Sequence, residues 1–173
     1  DLHRQFGSRV RGKIAKSGID FDSFEELKEI VTQFKPDIIG IRALTFFKEF
    51  FHKSIALIRQ WGINVPIISG GPYATSSYHS MLQDKNIDLA VLGEGEETLK
   101  QLIAYMLEND RQLPPEVKLK EMPGLAFASR EDRFALTNPR EVVMVDRIHE
   151  QLERESPKDL ERRGTPGDLA YII

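Results

Sequence analysis

Along the middle of the chain, apolar positions switch back and forth between two spacings. Phe24, Leu27, Ile30, Val31 and Phe34 recur at helical intervals, and Ser23 with Glu26 three residues on has the spacing of a capping box. The run "PDIIGIRAL" (36–44) is nearly unbroken and apolar, and predicts a buried strand. "FFKEFFHKSIALIRQW" (46–61) predicts an aromatic-rich helix ended by Gly62, and "VPIISGG" (65–71) the next strand. "SYHSMLQDK" (77–85) predicts a short helix, "IDLAVLGEG" (87–95) a strand and "EETLKQLIAYMLEND" (96–110) an amphipathic helix. Strands alternating with helices build right-handed crossovers, and hence a parallel sheet covered on both faces. The predicted fold is therefore α/β, doubly wound and Rossmann-like, over residues 22–140. "GLAFAS" (124–129) and "RFALTNP" (133–139), split by a polar turn, add a C-terminal hairpin or edge strands. Residues 1–21 contain "SRVRGKIAK", whose pattern fixes no element type, and the charged stretch 141–168 predicts a linker.

Composition narrows the functional classes. At 173 residues the chain has room for one domain with attached segments. A net charge of -3 and a pI near 5.9 give no electrostatic reason to expect nucleic acid or an acidic membrane surface. The sequence has no cysteine, which removes disulfides, thiolate metal sites and cysteine nucleophiles, and suits a cytoplasmic setting. No apolar run reaches the roughly 20 residues of a membrane span. The chain begins without Met and stops on "DLAYII", which suggests a fragment cut from a longer polypeptide.

In an open parallel sheet, ligands bind beyond the carboxyl ends of the strands. Three such ends carry distinctive residues: "RALT" (42–45), "SGGPYAT" (69–75) and "GEGEET" (93–98). Each has a plain structural explanation, since glycine serves tight turns and acidic residues suit a helix start. Their convergence on one rim is what points to a ligand site. Elsewhere the bland readings prevail. His52, His79 and His149 suit solvated or helix-packing roles, Glu94, Glu96 and Glu97 suit exposed capping, and Phe46, Phe47, Phe50 and Phe51 suit core packing. No zinc-spaced histidines, nucleophile elbow or phosphate-binding Gly-Lys-Ser/Thr is present, so no turnover is expected from the chain alone.

Taken in order, "KPDIIGIRALT … VPIISGGPYAT … IDLAVLGEGEETLKQLI … MPGLAF" resembles the cobalamin-binding domain found ahead of many radical-SAM enzymes. The resemblance implies cobalamin as cofactor, with its nucleotide tail between the sheet and the loops and the corrin over the strand ends. On this sequence the implied cofactor-binding residues are Arg42, Leu44, Thr45, Gly70, Gly71, Pro72, Tyr73, Gly93, Glu94 and Gly95. Arg42 stands where the family carries a small hydroxyl residue. It would either fill the tail pocket, paired with Glu94 or Glu96, or meet a phosphate of the tail. The family's cobalt-ligating Asp-x-His-x-x-Gly is approached by Asp1 and His3, but Gly7 falls four residues after His3 rather than three. The last residues, "TPGDLAYII", resemble the segment of nonribosomal peptide synthetase adenylation domains that leads into their ATP loop. That second resemblance implies a cobalamin-binding-like module inserted in a synthetase. Residues 169–173 would then start a truncated adenylation strand, with flanking adenylation and carrier domains as partners. Two other readings stand beside it: a scaffold that no longer binds cobalamin, and the N-terminal domain of a cobalamin-dependent radical-SAM enzyme.

Overall fold

The computed structural model describes residues 2–129 and 134–137, all within the first of the two units into which the chain divides, Asp1–Arg140 and Glu141–Ile173. The predicted linker at 141–168, the terminal "DLAYII" and His149 lie outside the described residues, as does the side chain of His3. After a short helix α1 (Leu2–Phe6), the elements run α2 (Phe24–Phe34), β1 (Ile39–Arg42), α3 (Lys48–Gln60), β2 (Ile67–Gly70), α4 (Gly71–Met81), β3 (Leu89–Val91), α5 (Glu96–Glu108), α6 (Glu116–Glu121), β4 (Leu125–Phe127) and β5 (Ala135–Leu136). The strands form one sheet in the order β1-β2-β3-β4-β5, parallel through β3, with β4 and β5 antiparallel. This is the mostly parallel, Rossmann-like α/β arrangement the alternation predicts, with β4 and β5 as the added edge pair.

The alternation of side chains along each strand divides the core in two. Ile67, Ala90 and Ala126 face α3 and α4, where Phe51, Ile55, Ile58, Ala74 and Met81 close over them. Their neighbours Ile68, Leu89, Val91, Leu125 and Phe127 face the other way, onto Leu102 of α5 and Leu119 of α6. Helices therefore cover both faces. On the first face, the two alanines give α3 and α4 room to approach the sheet. A third, smaller cluster seats Leu27 and Val31 of α2 on Phe21, beside Ile39 and Trp61. The Ser23–Glu26 capping box forms as expected: Ser23 Oγ accepts the Glu26 N–H at 3.2 Å, and the Glu26 carboxylate accepts from the Ser23 N–H at 3.2 Å.

Three expectations need correction. β1 is not a buried strand: it occupies the sheet edge among the described residues, with Gly40 and Arg42 exposed and Ile39 and Ile41 half-buried. The aromatic run is not uniformly core. Phe51 is 2% exposed, but Phe46 and Phe47 are 95% and 60% exposed on a 3-10 turn (Thr45–Phe47) that precedes α3. Phe50 stacks on Phe24 with ring centres 5.4 Å apart. The short helix expected at 77–85 instead begins at Gly71 and ends at Met81, because Pro72 occupies the first turn, where its missing N–H costs nothing. It is kinked at Ser77, whose φ of -142° and ψ of 28° are not helical.

Candidate functional site

The carboxyl ends of β1, β2 and β3 are tied to one another by hydrogen bonds from the loops themselves. The Tyr73 N–H donates to the Ala43 carbonyl at 3.2 Å, joining the end of β2 to the end of β1. Thr75 Oγ1 accepts the Gly93 N–H at 2.9 Å and donates to the Gly71 carbonyl at 3.1 Å, joining the second loop to the third. The third loop is anchored to β4 in turn. Leu92 N–H donates to the Gly124 carbonyl at 2.8 Å, and the buried Thr98 hydroxyl to the Pro123 carbonyl at 2.8 Å. The three stretches that the sequence singled out thus form a continuous rim.

Gly-Gly-Pro at residues 70–72 is a direct strand-to-helix junction. Gly71 has a φ of 83°, a conformation that side chains disfavour, and a Cβ there would come 2.6 Å from Arg42 Cγ and 2.9 Å from Arg42 Nε. Glycine is needed twice over: for the turn, and for the Arg42 side chain that lies across it. Arg42 is exposed, so its charge carries none of the desolvation cost of a buried guanidinium. Gly70 is freer, the nearest atom to an added Cβ being the Val91 carbonyl oxygen at 3.9 Å. Gly93 takes a φ of 65° at the third loop, and Gly95 leaves space filled by Val91.

Of the residues named from sequence, the structure brings Arg42, Gly70, Gly71, Tyr73 and Gly93 into this bonded rim. Leu44, Thr45, Pro72 and Glu94 are exposed beside it, and Gly95 is half-buried. Glu96 and Glu97 lie in the first turn of α5, where acidic residues suit the helix dipole; no side chain caps the helix, and Glu97 pairs with Lys100 one turn on. Tyr73 differs from its neighbours: its backbone serves the rim, while its ring is buried at 3% exposure.

Sequence reasoning missed two residues. Ser69 is fully buried, and among the described residues its hydroxyl is the buried side-chain polar atom left without a hydrogen-bond partner. It belongs to β2, one residue before the glycine pair, and pairs in register with Ile41 and Ala90. Leaving such a hydroxyl unmade costs about 1–3 kcal/mol, so the site carries an unmet demand for a partner. The second is His52, whose Nδ1 lies 2.7 Å from Asp84 Oδ2 and Nε2 3.0 Å from the Tyr73 hydroxyl. His79, by contrast, packs on Tyr78 and Phe134.

Among the described residues, no cluster of His, Asp or Glu is arranged to hold a metal ion, and no helix is long and apolar enough to cross a membrane.

Comparison with known proteins sets this rim in context. Residues 8–103 match the family described as B12 binding domain. The chain is 33% identical over 130 residues to an uncharacterized methyltransferase of Pyrococcus horikoshii, covering 73% of this chain and 26% of that protein. It is 30% identical over 131 residues to the anaerobic magnesium-protoporphyrin IX monomethyl ester cyclase of Cereibacter sphaeroides, covering 75% of this chain and 21% of that protein. The chain thus spans about a quarter or less of the curated relatives it matches. Among solved structures, its fold is similar to that of OxsB, a cobalamin-dependent S-adenosylmethionine radical enzyme, with aqua-cobalamin and S-adenosylmethionine bound. That likeness has a TM-score of 0.54 at 20% identity and covers 69% of this chain and 16% of that one. The radical S-adenosylmethionine methyltransferase TsrM from Kitasatospora setae is similar in fold with a TM-score of 0.52 at 21% identity, over 69% of this chain and 22% of that one.

Proposed function

This chain belongs to the B12-binding domain family, and on that premise we propose that it is the cobalamin-binding module of a longer enzyme of the radical-SAM type. The observation that carries the reading is the bonded strand-end rim, in which the residues fit such a ligand. Gly70 and Gly71 add no side chain of their own at the end of β2, so that a bulky group can approach the backbone once Arg42 moves aside. Ser69 supplies a buried hydroxyl in need of a partner. Gly93 holds the third loop in a turn. Ser69, Gly70, Gly71 and Gly93 would hold the cofactor, with Leu44 and Thr45 as exposed flanks. Bound cobalamin supplies a cobalt centre able to carry a methyl group or electrons, while this chain's residues bind and orient it. Both curated relatives are named as enzymes, a methyltransferase and a cyclase, which supports a catalytic parent.

Arg42 divides this reading from that of a scaffold that has lost its ligand. Its side chain lies across Gly71, so it has to move aside when a ligand approaches that backbone. Titration of the purified chain with hydroxocobalamin, followed by its visible spectrum, tests the reading. Wild type binds, and Arg42→Ser binds about twofold to tenfold more tightly because no ordered side chain must be displaced. Uptake by neither protein overturns the cobalamin reading, and uptake by Arg42→Ser alone favours the scaffold. A weaker Arg42→Ser shows instead that the guanidinium meets the ligand, as a phosphate contact would. Embedding in a peptide synthetase rests on the resemblance of residues 168–173 alone. The flanking sequence decides it, through a Cys-x-x-x-Cys-x-x-Cys triad on one reading and the glycine- and serine-rich ATP loop on the other.

A further inference from the structure

Helix α4 carries the middle of the rim, yet it is a poor helix. It has 11 residues, breaks at Ser77 and has no side-chain cap at its start. Its first half, residues 71–76, includes Tyr73 and Thr75, which bond Ala43 and Gly93. Helical bonds across a non-helical residue do not transmit position from one half to the other. Something else must fix the first half against the second.

His52 stands where such a strut is required. It projects from α3 and touches both ends of α4: the Tyr73 hydroxyl in the first turn at 3.0 Å, and Asp84, just past the last turn, at 2.7 Å. Asp84 is held by its own neighbours, since its second carboxylate oxygen accepts the Asn86 N–H at 3.0 Å and the Asn86 side-chain amide at 2.8 Å. A carboxylate offers only acceptors, so in a neutral imidazole the Asp84 bond places the proton on Nδ1 and leaves Nε2 to accept the Tyr73 O–H. The ring faces are fixed as well, Phe51 meeting both His52 and Tyr73 edge-on with centres 5.1 and 5.5 Å away. The chain Tyr73–His52–Asp84–Asn86 thus has a defined proton order, and bonds in such a series reinforce one another.

We propose that His52 is a positioning residue for the strand-end site. It spans the Ser77 kink from Asp84 to the Tyr73 hydroxyl and so sets the half of α4 that carries Gly71, Tyr73 and Thr75. The ligand in this inference rests on the cobalamin reading; the strut itself does not.

The test uses the full chain with His52→Leu, His52→Gln and Tyr73→Phe, together with the Leu/Phe double variant. Two readouts are taken: amide hydrogen exchange, and titration with hydroxocobalamin. Tyr73→Phe and His52→Leu each speed exchange at the Tyr73 and Gly93 amides by roughly three- to tenfold, the worth of one internal hydrogen bond. The Lys35 amide, bonded to Val31 at the far end of α2, keeps its rate. The double variant is no worse than His52→Leu, which already cuts the bond that Tyr73→Phe removes. His52→Gln keeps an acceptor for the Tyr73 hydroxyl and restores slow exchange. Hydroxocobalamin affinity falls in the same order as the exchange rises. Equal acceleration at Tyr73 and Lys35 reveals a merely global loss of stability and overturns the proposal. So does unchanged exchange at Tyr73, or affinity that ignores Tyr73→Phe while wild type binds. If wild type takes up no hydroxocobalamin, the cobalamin reading falls, and the exchange comparison still decides whether His52 is the strut.

Discussion

At the amino end of β2, Arg59 reaches from α3 to bond the carbonyls of Ile63 at 3.1 Å and Val65 at 2.7 Å, and that of Asn86 at 3.0 Å. It also pairs with Asp88 at 2.9 Å, whose same oxygen accepts the Ile67 N–H at 2.7 Å. At the carboxyl end of the same strand, Ser69 is buried without a partner and Gly71 holds a left-handed turn. One end ties its carbonyls to a single guanidinium; the other leaves the Ser69 hydroxyl without a partner and carries no Cβ at residues 70 and 71. The difference is the one the proposed function calls for, since a ligand can satisfy only what the fold has left open.

The largest expected effect breaks the satisfied end. Arg59 is 18% exposed at its side chain, and replacing it removes the donor to three carbonyls at once and the partner cation of the exposed Asp88. Arg59→Met is expected to lower unfolding stability by about 3 kcal/mol. It should leave the hydroxocobalamin affinity of the folded protein unchanged. Urea melts and titrations on the same samples check this, and an affinity loss in step with stability would show that the two ends are not separable.

What the sequence shows of these ends is unequal. β2, β3 and α5 were legible because burial on both faces leaves continuous apolar runs, and an amphipathic helix leaves a clear stripe. The glycine-rich rim was legible because backbone conformation and close approach restrict residue choice at Gly71 and Gly93. Edge position was not, since "DIIGI" reads alike whether a neighbour strand is present or not; nor was the exposure of Phe46 and Phe47. Helix α6 escaped notice because six residues with Leu119 as the buried anchor carry too little pattern. The Arg59–Asp88 pair joins residues 29 apart and the His52–Asp84 pair residues 32 apart, and neither has a local signature. Ser69 was hidden for another reason: a serine in a strand says nothing about whether its hydroxyl finds a partner.

Ser69 gives the sharper, intermediate test, because stability and affinity should respond with opposite signs. Removing a hydroxyl that the fold leaves unsatisfied relieves a desolvation penalty, so Ser69→Ala is expected to hold or raise unfolding stability, by up to about 1 kcal/mol. The same change should weaken hydroxocobalamin, which loses the donor. Stability and affinity moving apart is the signature of a group kept for a ligand. A fall in stability with unaltered affinity would instead place Ser69 among the ordinary packing residues.

The smallest effect concerns the cap of α2, whose first turn lies beside that of α3, where Phe24 stacks on Phe50. Unlike Ser69, the Ser23 hydroxyl there has its partner, and the Glu26 carboxylate accepts from the Asp22 N–H at 2.7 Å and the Ser23 N–H at 3.2 Å. These bonds, the one from Asp22 foremost, favour the charged form and hold the Glu26 carboxyl below its ordinary value. A pKa depressed by folding means that the unfolded chain binds the proton more readily. The cap therefore adds stability above the unfolded pKa and loses it as pH falls through the folded one. Glu26→Gln should be slightly less stable than wild type near neutrality, and the gap should close as urea melts are taken to about pH 3. A gap that stays constant with pH would mean that the cap holds α2 by geometry alone, without help from its charge.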